Sequence, residues 1–294
     1  LSTDAKMACI EKIYSVSALV GTGKCNANCP FCAGKGLRSG HIHELQYHRG
    51  LESAIKLSAR YGGWSLSLTS GGEPTCEPDA VTAALETYHK CASQGAYFPS
   101  VVLFTNGILC GDDEFCSKYF PLWQSLGLTG IAVSVHDSDE KKQADIYGIA
   151  KYPNFCDIFN NIYKYGLGPR CTVLLRKGGI EDAPSYVKAI NRLFVVGFNN
   201  ITSWPVGEPD GSRNKYTISR LGMLGIRWWL FKNAKLCHGH SWGGGVYDYN
   251  GKILRLTSYV TKHNPNKDFV RQLVVFTDGS VTYSWIREGA LCLK

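Results

Sequence analysis

Three thiols on one short stretch are the residues here most able to do chemistry. Cys25, Cys29 and Cys32 stand in the run Gly23-Lys24-Cys25-Asn26-Ala27-Asn28-Cys29-Pro30-Phe31-Cys32, a C-x3-C-x2-C spacing with no fourth ligand at a similar interval. A structural metal site is closed by four protein ligands, whereas a reactive one keeps a position open for water, substrate or cofactor. Thiolates are the usual ligands of iron–sulfur clusters. Three of them on one loop can hold a cubic cluster and leave one iron without a protein ligand. A zinc site completed by His41, His43 or His48 is the plainer alternative.

A second run, Thr69-Ser70-Gly71-Gly72-Glu73-Pro74, follows, with Gly71 39 positions after Cys32. Together the C-x3-C-x2-C motif, with an aromatic residue before its last Cys, and the Gly-Gly-Glu-Pro run resemble the radical S-adenosylmethionine (SAM) superfamily. The resemblance extends from about Tyr14 to about Pro209 and points to no subfamily. It implies a 4Fe-4S cluster on Cys25, Cys29 and Cys32, with SAM bound to the open iron through its amino and carboxylate groups. The Gly71-Gly72-Glu73-Pro74 segment would hold the methionyl part. The two glycines let the backbone approach it, and Glu73 accepts a charge-assisted hydrogen bond from the α-amino group. Ser134 or His136 would reach the ribose hydroxyls or the carboxylate, with Asn106 a further ribose contact. Arg176 can fork that carboxylate, and Phe31 with Pro205-Val206 would flank the adenine. The implied reaction is one-electron cleavage of SAM to a 5′-deoxyadenosyl radical, which abstracts hydrogen from a substrate. An electron donor such as flavodoxin or ferredoxin is therefore implied too. Each segment also has a plainer reading: a turn at Gly-Gly-Glu-Pro, strand-end polar residues at Ser134 and His136, a surface charge at Arg176.

Further along, Cys237-His238-Gly239-His240-Ser241-Trp242 brings a thiol and two imidazoles together. Cys237 could return a hydrogen atom to a product radical, and His238 or His240 could act as general base; a buried Cys and two loop histidines is the alternative. Glu208 and Asp210 could hold a cationic group. Trp228, Trp229 and Phe231 read as packing of a helix on the barrel.

Composition sets the frame. The chain has 294 residues, 44% hydrophobic and 19% charged, enough for one large α/β domain or a domain with an appendage. No apolar stretch approaches the roughly 18 residues of a membrane span, and Leu1 to Lys12 does not read as a signal peptide. Twelve cysteines in a chain of this size, without an export signal, fit scattered core thiols plus the triplet, in a reducing cytoplasm. The two C-terminal cysteines, Cys237 and Cys292, are too far apart in sequence for an auxiliary cluster. The formal net charge of +8 favours an anionic small-molecule substrate. The basic residues are dispersed without a nucleic-acid patch, and nothing suggests a membrane partner.

These residues need a scaffold. Apolar runs at Tyr14–Val20, Ser65–Thr69, Val101–Thr105, Ile131–His136, Thr172–Arg176 and Ile201–Pro205 read as strands covered on both faces. Amphipathic stretches at Leu45–Tyr61, Pro78–Ser93, Asp113–Leu126, Glu140–Ile149, Phe155–Tyr165 and Ala183–Val196 separate them, with Gly127, Gly166 and Gly197 as helix stops. The pattern predicts an α/β fold: a partial (β/α)6 TIM-like barrel over residues 1–211. Asn250-Gly251 and Asp278-Gly279 are hairpin signals. They predict that 212–294 forms a C-terminal extension, with a small antiparallel β appendage from about Gly243 that covers the barrel or the substrate site. Ligands bind at the carboxyl ends of strands in such folds, and the chemical segments all follow predicted strands. The expected function is a biosynthetic radical enzyme acting on a nucleotide, sugar or amino acid. The alternatives are modification of a macromolecule (a glycyl-radical activase, or a peptide- or tRNA-modifying enzyme) and a non-enzymatic metal-binding redox module.

Overall fold

The computed structural model describes residues 12–208, 211–240, 244–257, 269–287 and 291–293. Six parallel strands alternate with helices: β1 (Ser15–Leu19), β2 (Ser65–Thr69), β3 (Ser100–Thr105), β4 (Gly130–Val135), β5 (Gly168–Leu175) and β6 (Asn200–Pro205). They lie side by side in chain order. The helices are α1 (Glu44–Arg60), α2 (Pro78–Ser93), α3 (Asp113–Ser125), α4 (Glu140–Tyr147), α5 (Phe155–Lys164), α6 (Ala183–Val196) and α7 (Arg220–Asn233). The helix starts are written in the sequence. Asp112, Asp139, Asn154, Asp182 and Ser219 each accept a hydrogen bond from a first-turn backbone N–H. Gly197 ends α6 at φ 122°, a conformation that glycine alone adopts freely.

Both hairpin signals form hairpins. Asn250 and Gly251, both at positive φ, turn β8 (Gly244–Tyr249) into β9 (Lys252–Thr257). Gly279, at φ 83°, turns β10 (Leu273–Val275) into β11 (Val281–Thr282). These strands join the main sheet at its two edges. β9 runs parallel to β6, pairing Arg255 with Thr202, and β10 runs parallel to β1, pairing Val274 with Ser17. With β7 (Lys235–Gly239) beyond β8 and β12 (Leu291–Leu293) beyond β11, one sheet of twelve strands results. A two-residue parallel pair, Lys12–Ile13 with Phe269–Val270, stands apart from it.

The core lies between the sheet and the helices, around Leu66, Leu68, Leu103, Ile131, Val133, Val173 and Ile201, all fully buried. The other face of the strands looks into the lumen. On α7, Trp229 packs on Tyr186 and Tyr249. Trp228 and Phe231 do not share that packing: they are 64% and 79% exposed. The sequence reading of all three as packing residues is corrected, because neighbours in a 3.6-residue period cannot all face the sheet.

Candidate active site

The loop from Val20 to Arg38 carries Cys25, Cys29 and Cys32, all free and half-buried. One carboxylate fixes its start, and a second braces the strand ends beside it. Glu77, just before α2, accepts hydrogen bonds from the backbone N–H groups of Thr22 (2.9 Å), Gly23 (3.1 Å) and Lys24 (3.2 Å) and from the Thr22 hydroxyl (2.8 Å). Burial works to raise the Glu77 pKa, but these bonds outweigh it and hold the carboxyl below its ordinary range. Glu73 is fully buried. Its Oε1 accepts from Thr75 N (3.0 Å), Thr75 Oγ1 (2.7 Å) and Thr105 Oγ1 (2.6 Å), and its Oε2 from Asn106 N (2.6 Å). Glu73 therefore staples the end of β2 to the end of β3. Burial raises its pKa despite these bonds. Oε2 keeps acceptor capacity beyond its single bond.

Gly71 and Gly72 have a reason the sequence did not show. A Cβ on Gly72 would stand 2.1 Å from the Lys24 carbonyl oxygen, and one on Gly71 would stand 2.7 Å from the Leu37 carbonyl carbon. The glycines admit the thiol loop itself, whose Lys24 carbonyl accepts from Glu73 N at 2.7 Å. Gly72→Ala should displace that loop; its expected result is loss of most bound iron after anaerobic reconstitution, read by iron and sulfide assay. Full iron loading in that variant would show that the loop packs elsewhere.

The thiols open on a cavity of about 330 Å³. It is lined by twelve of the fourteen metal and cofactor residues read from the sequence: Cys25, Cys29, Cys32, Phe31, Gly72, Glu73, Pro74, Asn106, Ser134, His136, Pro205 and Val206. Gly71 and Arg176 are not among the lining residues. Arg176 lies behind Phe31, its guanidinium carbon 5.3 Å from the ring centroid, and donates to the carbonyls of Lys177 (3.3 Å) and Gly178 (3.1 Å). The Asn106 amide donates to Asn26 Oδ1 at 2.7 Å and so ties β3 to the thiol loop. Phe104 and Trp204 stack across the cavity with ring centroids 6.4 Å apart. Phe104, Tyr147 and Glu77 did not stand out in sequence: a large apolar residue in a strand reads as core, and an acid before a helix reads as a cap.

His136 is 95% buried between Phe31 and Tyr147, with ring centroids 5.0 and 5.1 Å away. Its Nδ1 has no hydrogen-bond partner, and neither does Arg176 Nε. Burial, helped by the Arg176 charge, pulls the His136 pKa to about 3 from its ordinary 6.5. Below pH 6.5 the unfolded chain binds a proton that the native site refuses, so stability falls as the pH drops from 6.5 toward 3. At pH 5 the loss is about 2 kcal/mol. In the metal-free protein, His136→Asn should flatten the acid limb of the stability curve between pH 6.5 and 4. An unchanged limb in denaturant titrations would mean that His136 is already charged in the native state.

Cys237, His238 and His240 are not among the cavity-lining residues. Cys237 and His238 lie exposed on edge strand β7, where a bulge falls between Leu236 and His238. Ser241 and Trp242 lie outside the described residues. Glu208 lines the cavity and accepts from Asn214 Nδ2 at 2.9 Å; Asp210 lies outside the described residues. His41 and His43 bond each other at 3.0 Å, and His48 bonds Thr87 at 2.7 Å. Among the described residues no three His, Cys, Asp or Glu side chains gather closely enough to hold a single metal ion. The zinc alternative therefore lacks its built site. The three thiols line one cavity without gathering on a single point, which suits the separated corners of a cluster instead, and the unpartnered His136 Nδ1 at that cavity suits a polar ligand.

An open α/β barrel with three half-buried thiols at the carboxyl ends of its strands defines a cluster-binding class of protein. Residues 19–200 match the model of the Radical SAM superfamily, and the chain belongs to that superfamily. Members of that superfamily are enzymes that use a 4Fe-4S cluster and SAM together with a reductant and a substrate. PqqA peptide cyclase of Methylorubrum extorquens (strain PA1) is 26% identical over 170 residues, which cover 56% of this chain and 40% of that protein. The chain thus spans well under half the length of the curated relatives it matches. Among solved structures, polyhistidine-tagged anSMEcpe with bound AdoMet aligns with a TM-score of 0.59 at 15% identity, covering 95% of this chain and 76% of that one. A radical SAM methyltransferase from Sphaerobacter thermophilus aligns with a TM-score of 0.54 at 14% identity, covering 75% and 63%. At these identities the likeness is one of fold. Among the described residues no helix is long and apolar enough to cross a membrane.

Proposed function

We propose that this chain is a biosynthetic radical SAM enzyme acting on a small, anionic metabolite held in the barrel lumen. The observation that carries this reading is that the cavity continues from the residues assigned to the cluster and SAM onto the lumen side chains Phe104, Leu174 and Trp204, an apolar wall of the kind that lines small-ligand sites. When bound, the cluster and SAM supply one-electron cleavage of a sulfonium and a 5′-deoxyadenosyl radical that takes a hydrogen atom from the substrate.

The chain's own residues do the rest. Cys25, Cys29 and Cys32 hold the cluster after losing their thiol protons. Burial, aided by the neighbouring thiols, pushes Cys29 up to about 12, so loading releases protons. Glu73 Oε2 would accept from the α-amino group of SAM, Ser134 or His136 would reach its ribose or carboxylate, and Phe31, Pro205 and Val206 would flank its adenine. Arg176 acts from behind Phe31, orienting that ring. Phe104 and Trp204 exclude water beneath the reacting groups. We assign 1–211 to the core unit, whose described residues build the barrel, and 212–294 to the extension, whose described residues add the edge strands. Free thiols suit a reducing cytoplasm, with flavodoxin or ferredoxin as the donor class.

Peptide modification is the second reading, favoured by the match to PqqA peptide cyclase. One experiment separates the two. The anaerobically reconstituted protein is incubated with SAM, reductant and either deuterated anionic metabolites or a deuterated peptide pool. Mass spectrometry then follows deuterium into 5′-deoxyadenosine. Transfer from a small metabolite is the expected result. Transfer from peptides alone would overturn the first reading, and a complete lack of 5′-deoxyadenosine would overturn both.

A further inference from the structure

Helix α7 is apolar on two sides. Its inner side is taken up by the barrel: Ile226 and Leu230 are fully buried, and Met223 and Trp229 pack against the same core. The approach is close, since a Cβ on Gly222 would stand 2.0 Å from the Glu181 carbonyl oxygen. Four large apolar side chains point the other way. Leu221 is 80% exposed, Leu224 57%, Trp228 64% and Phe231 79%. At 3.6 residues per turn these positions fall within an arc of about 80°, opposite the buried side. The margins of the stripe are basic. Arg220 and Arg227 lie beside it on one flank and Lys232 on the other, all three exposed, and the helix contains no acidic residue. The Lys232 ammonium stands 5.3 Å from the Trp228 ring centroid. The strand that follows, β7, adds exposed Lys235 and Leu236.

We propose that the outer face of α7 docks on an anionic lipid membrane, with Leu221, Leu224, Trp228 and Phe231 in the boundary between headgroups and acyl chains. The inference is independent of the substrate reading above. Charge selects the occupant. A second copy of the helix would bring Arg220, Arg227 and Lys232 against their equivalents, with no acid in either helix to answer them. Pairing of two copies through β7 is obstructed as well, because Lys235 and the bulge between Leu236 and His238 are devices that blunt a sheet edge. An acidic protein would answer the charge, but it would also need a groove cut to four protruding side chains. A bilayer boundary needs no groove. It takes up protruding Leu, Trp and Phe, while the stems of Arg and Lys lie along the apolar stripe and their heads reach the lipid phosphates. The formal net charge of +8 adds to the attraction. A helix held in this way lies on the membrane and does not cross it. The sequence reading found no membrane partner because a helix apolar all round reads as buried; only the packing of its inner side shows that a second apolar side is left over.

The test floats the full chain with vesicles of phosphatidylcholine alone, or of phosphatidylcholine and phosphatidylglycerol in equal parts. Binding to the anionic vesicles only, weakened by added salt, is the expected result. Leu224→Ser/Phe231→Ser keeps every charge and should cut the partition coefficient by at least about tenfold. Arg220→Gln, Arg227→Gln and Lys232→Gln should each cut it by about fivefold. Tyr97→Ser, which removes an exposed ring outside α7, should bind like the unmodified chain. All the substitutions are at exposed positions, and circular dichroism confirms that each variant is folded. No binding to anionic vesicles would overturn the proposal, and so would undiminished binding by folded Leu224→Ser/Phe231→Ser. Sedimentation velocity and immobilised polyglutamate test the other occupants. A dimer that these two substitutions dissolve, in place of vesicle binding, would assign the face to a second copy. Retention on polyglutamate without vesicle binding would assign it to an acidic protein. Either result overturns the membrane assignment.

Discussion

Cys29→Ala should leave a colourless protein that forms no 5′-deoxyadenosine above background. Cys29 is the middle thiol of the triplet and is half-buried, lining the cavity together with Cys25 and Cys32. Two remaining thiols cannot hold three corners of a cluster, and no other His, Cys, Asp or Glu among the described residues joins any two of these in a metal-holding group. Cys76 is the fourth thiol closest in role. Its pKa is raised to about 11, by burial first and then by Glu73, and it feels the charge of Cys25. It sits on the Gly-Gly-Glu-Pro side, however, and is not among the cavity-lining residues. The expected loss is at least about a thousandfold in SAM cleavage, because an enzyme of this kind has no partial route around its electron source. Iron content, visible absorbance and nucleoside formation are measured in parallel with Cys76→Ala, which should keep its cluster. A brown, active Cys29→Ala protein would remove Cys29 from the cluster, and a colourless Cys76→Ala protein would put Cys76 in its place.

The sequence carried the six parallel strands because each is a β-branched or apolar run that both faces cover, as in Val101-Val102-Leu103-Phe104. It carried α3, α4, α5 and α6 because an Asp or Asn caps each first turn, and α1 and α2, which have no side-chain cap, through their amphipathic period alone. The rim also followed, since ligand sites lie where such strands end. What it did not carry depends on long-range packing. Asn250-Gly251 specifies a hairpin, but nothing local says that β9 will then pair in parallel with β6, or that β10 will do so with β1. Gly72 reads as room for a ligand; only the fold shows the Lys24 carbonyl filling that room. Arg170 and Arg255 are scattered charges along the chain and come to one face of the sheet only when β9 pairs with β6 and β6 with β5. Cys237 reads as a thiol beside two histidines, and the bulge at an edge strand keeps it exposed. Residues whose role depends on covalent neighbours were legible, then, and those whose role depends on strand order were not.

Glu73 offers the sharpest test of how much of the site is scaffold. Replacing it by Ala strips the acceptors from two buried backbone N–H groups, those of Thr75 and Asn106, and from the hydroxyls of Thr75 and Thr105. Each orphaned buried donor costs about 1–3 kcal/mol. The hydroxyls can rotate, whereas the N–H groups cannot. Glu73→Ala should therefore lose about 3 kcal/mol or more, a fall in Tm of roughly 6 °C, before any ligand is added. Glu73→Gln keeps one acceptor oxygen and turns an NH2 against one of the two N–H groups, for a loss of about 1–2 kcal/mol. Its pH dependence distinguishes a charged staple from a neutral one. Burial raises the Glu73 pKa above its ordinary 4.5, so the native state keeps a proton that the unfolded chain releases. Native stability then declines as the pH rises from about 4.5 to the folded value and is level above it. Gln does not titrate, so the gap between the two proteins should narrow over that interval. A gap that widens instead would mean that the four hydrogen bonds outweigh burial and that Glu73 is ionised in the native protein well below pH 4.5. In that case a negative charge would already be waiting for the α-amino group of SAM, and Glu73→Gln would weaken SAM binding by more than it weakens the fold.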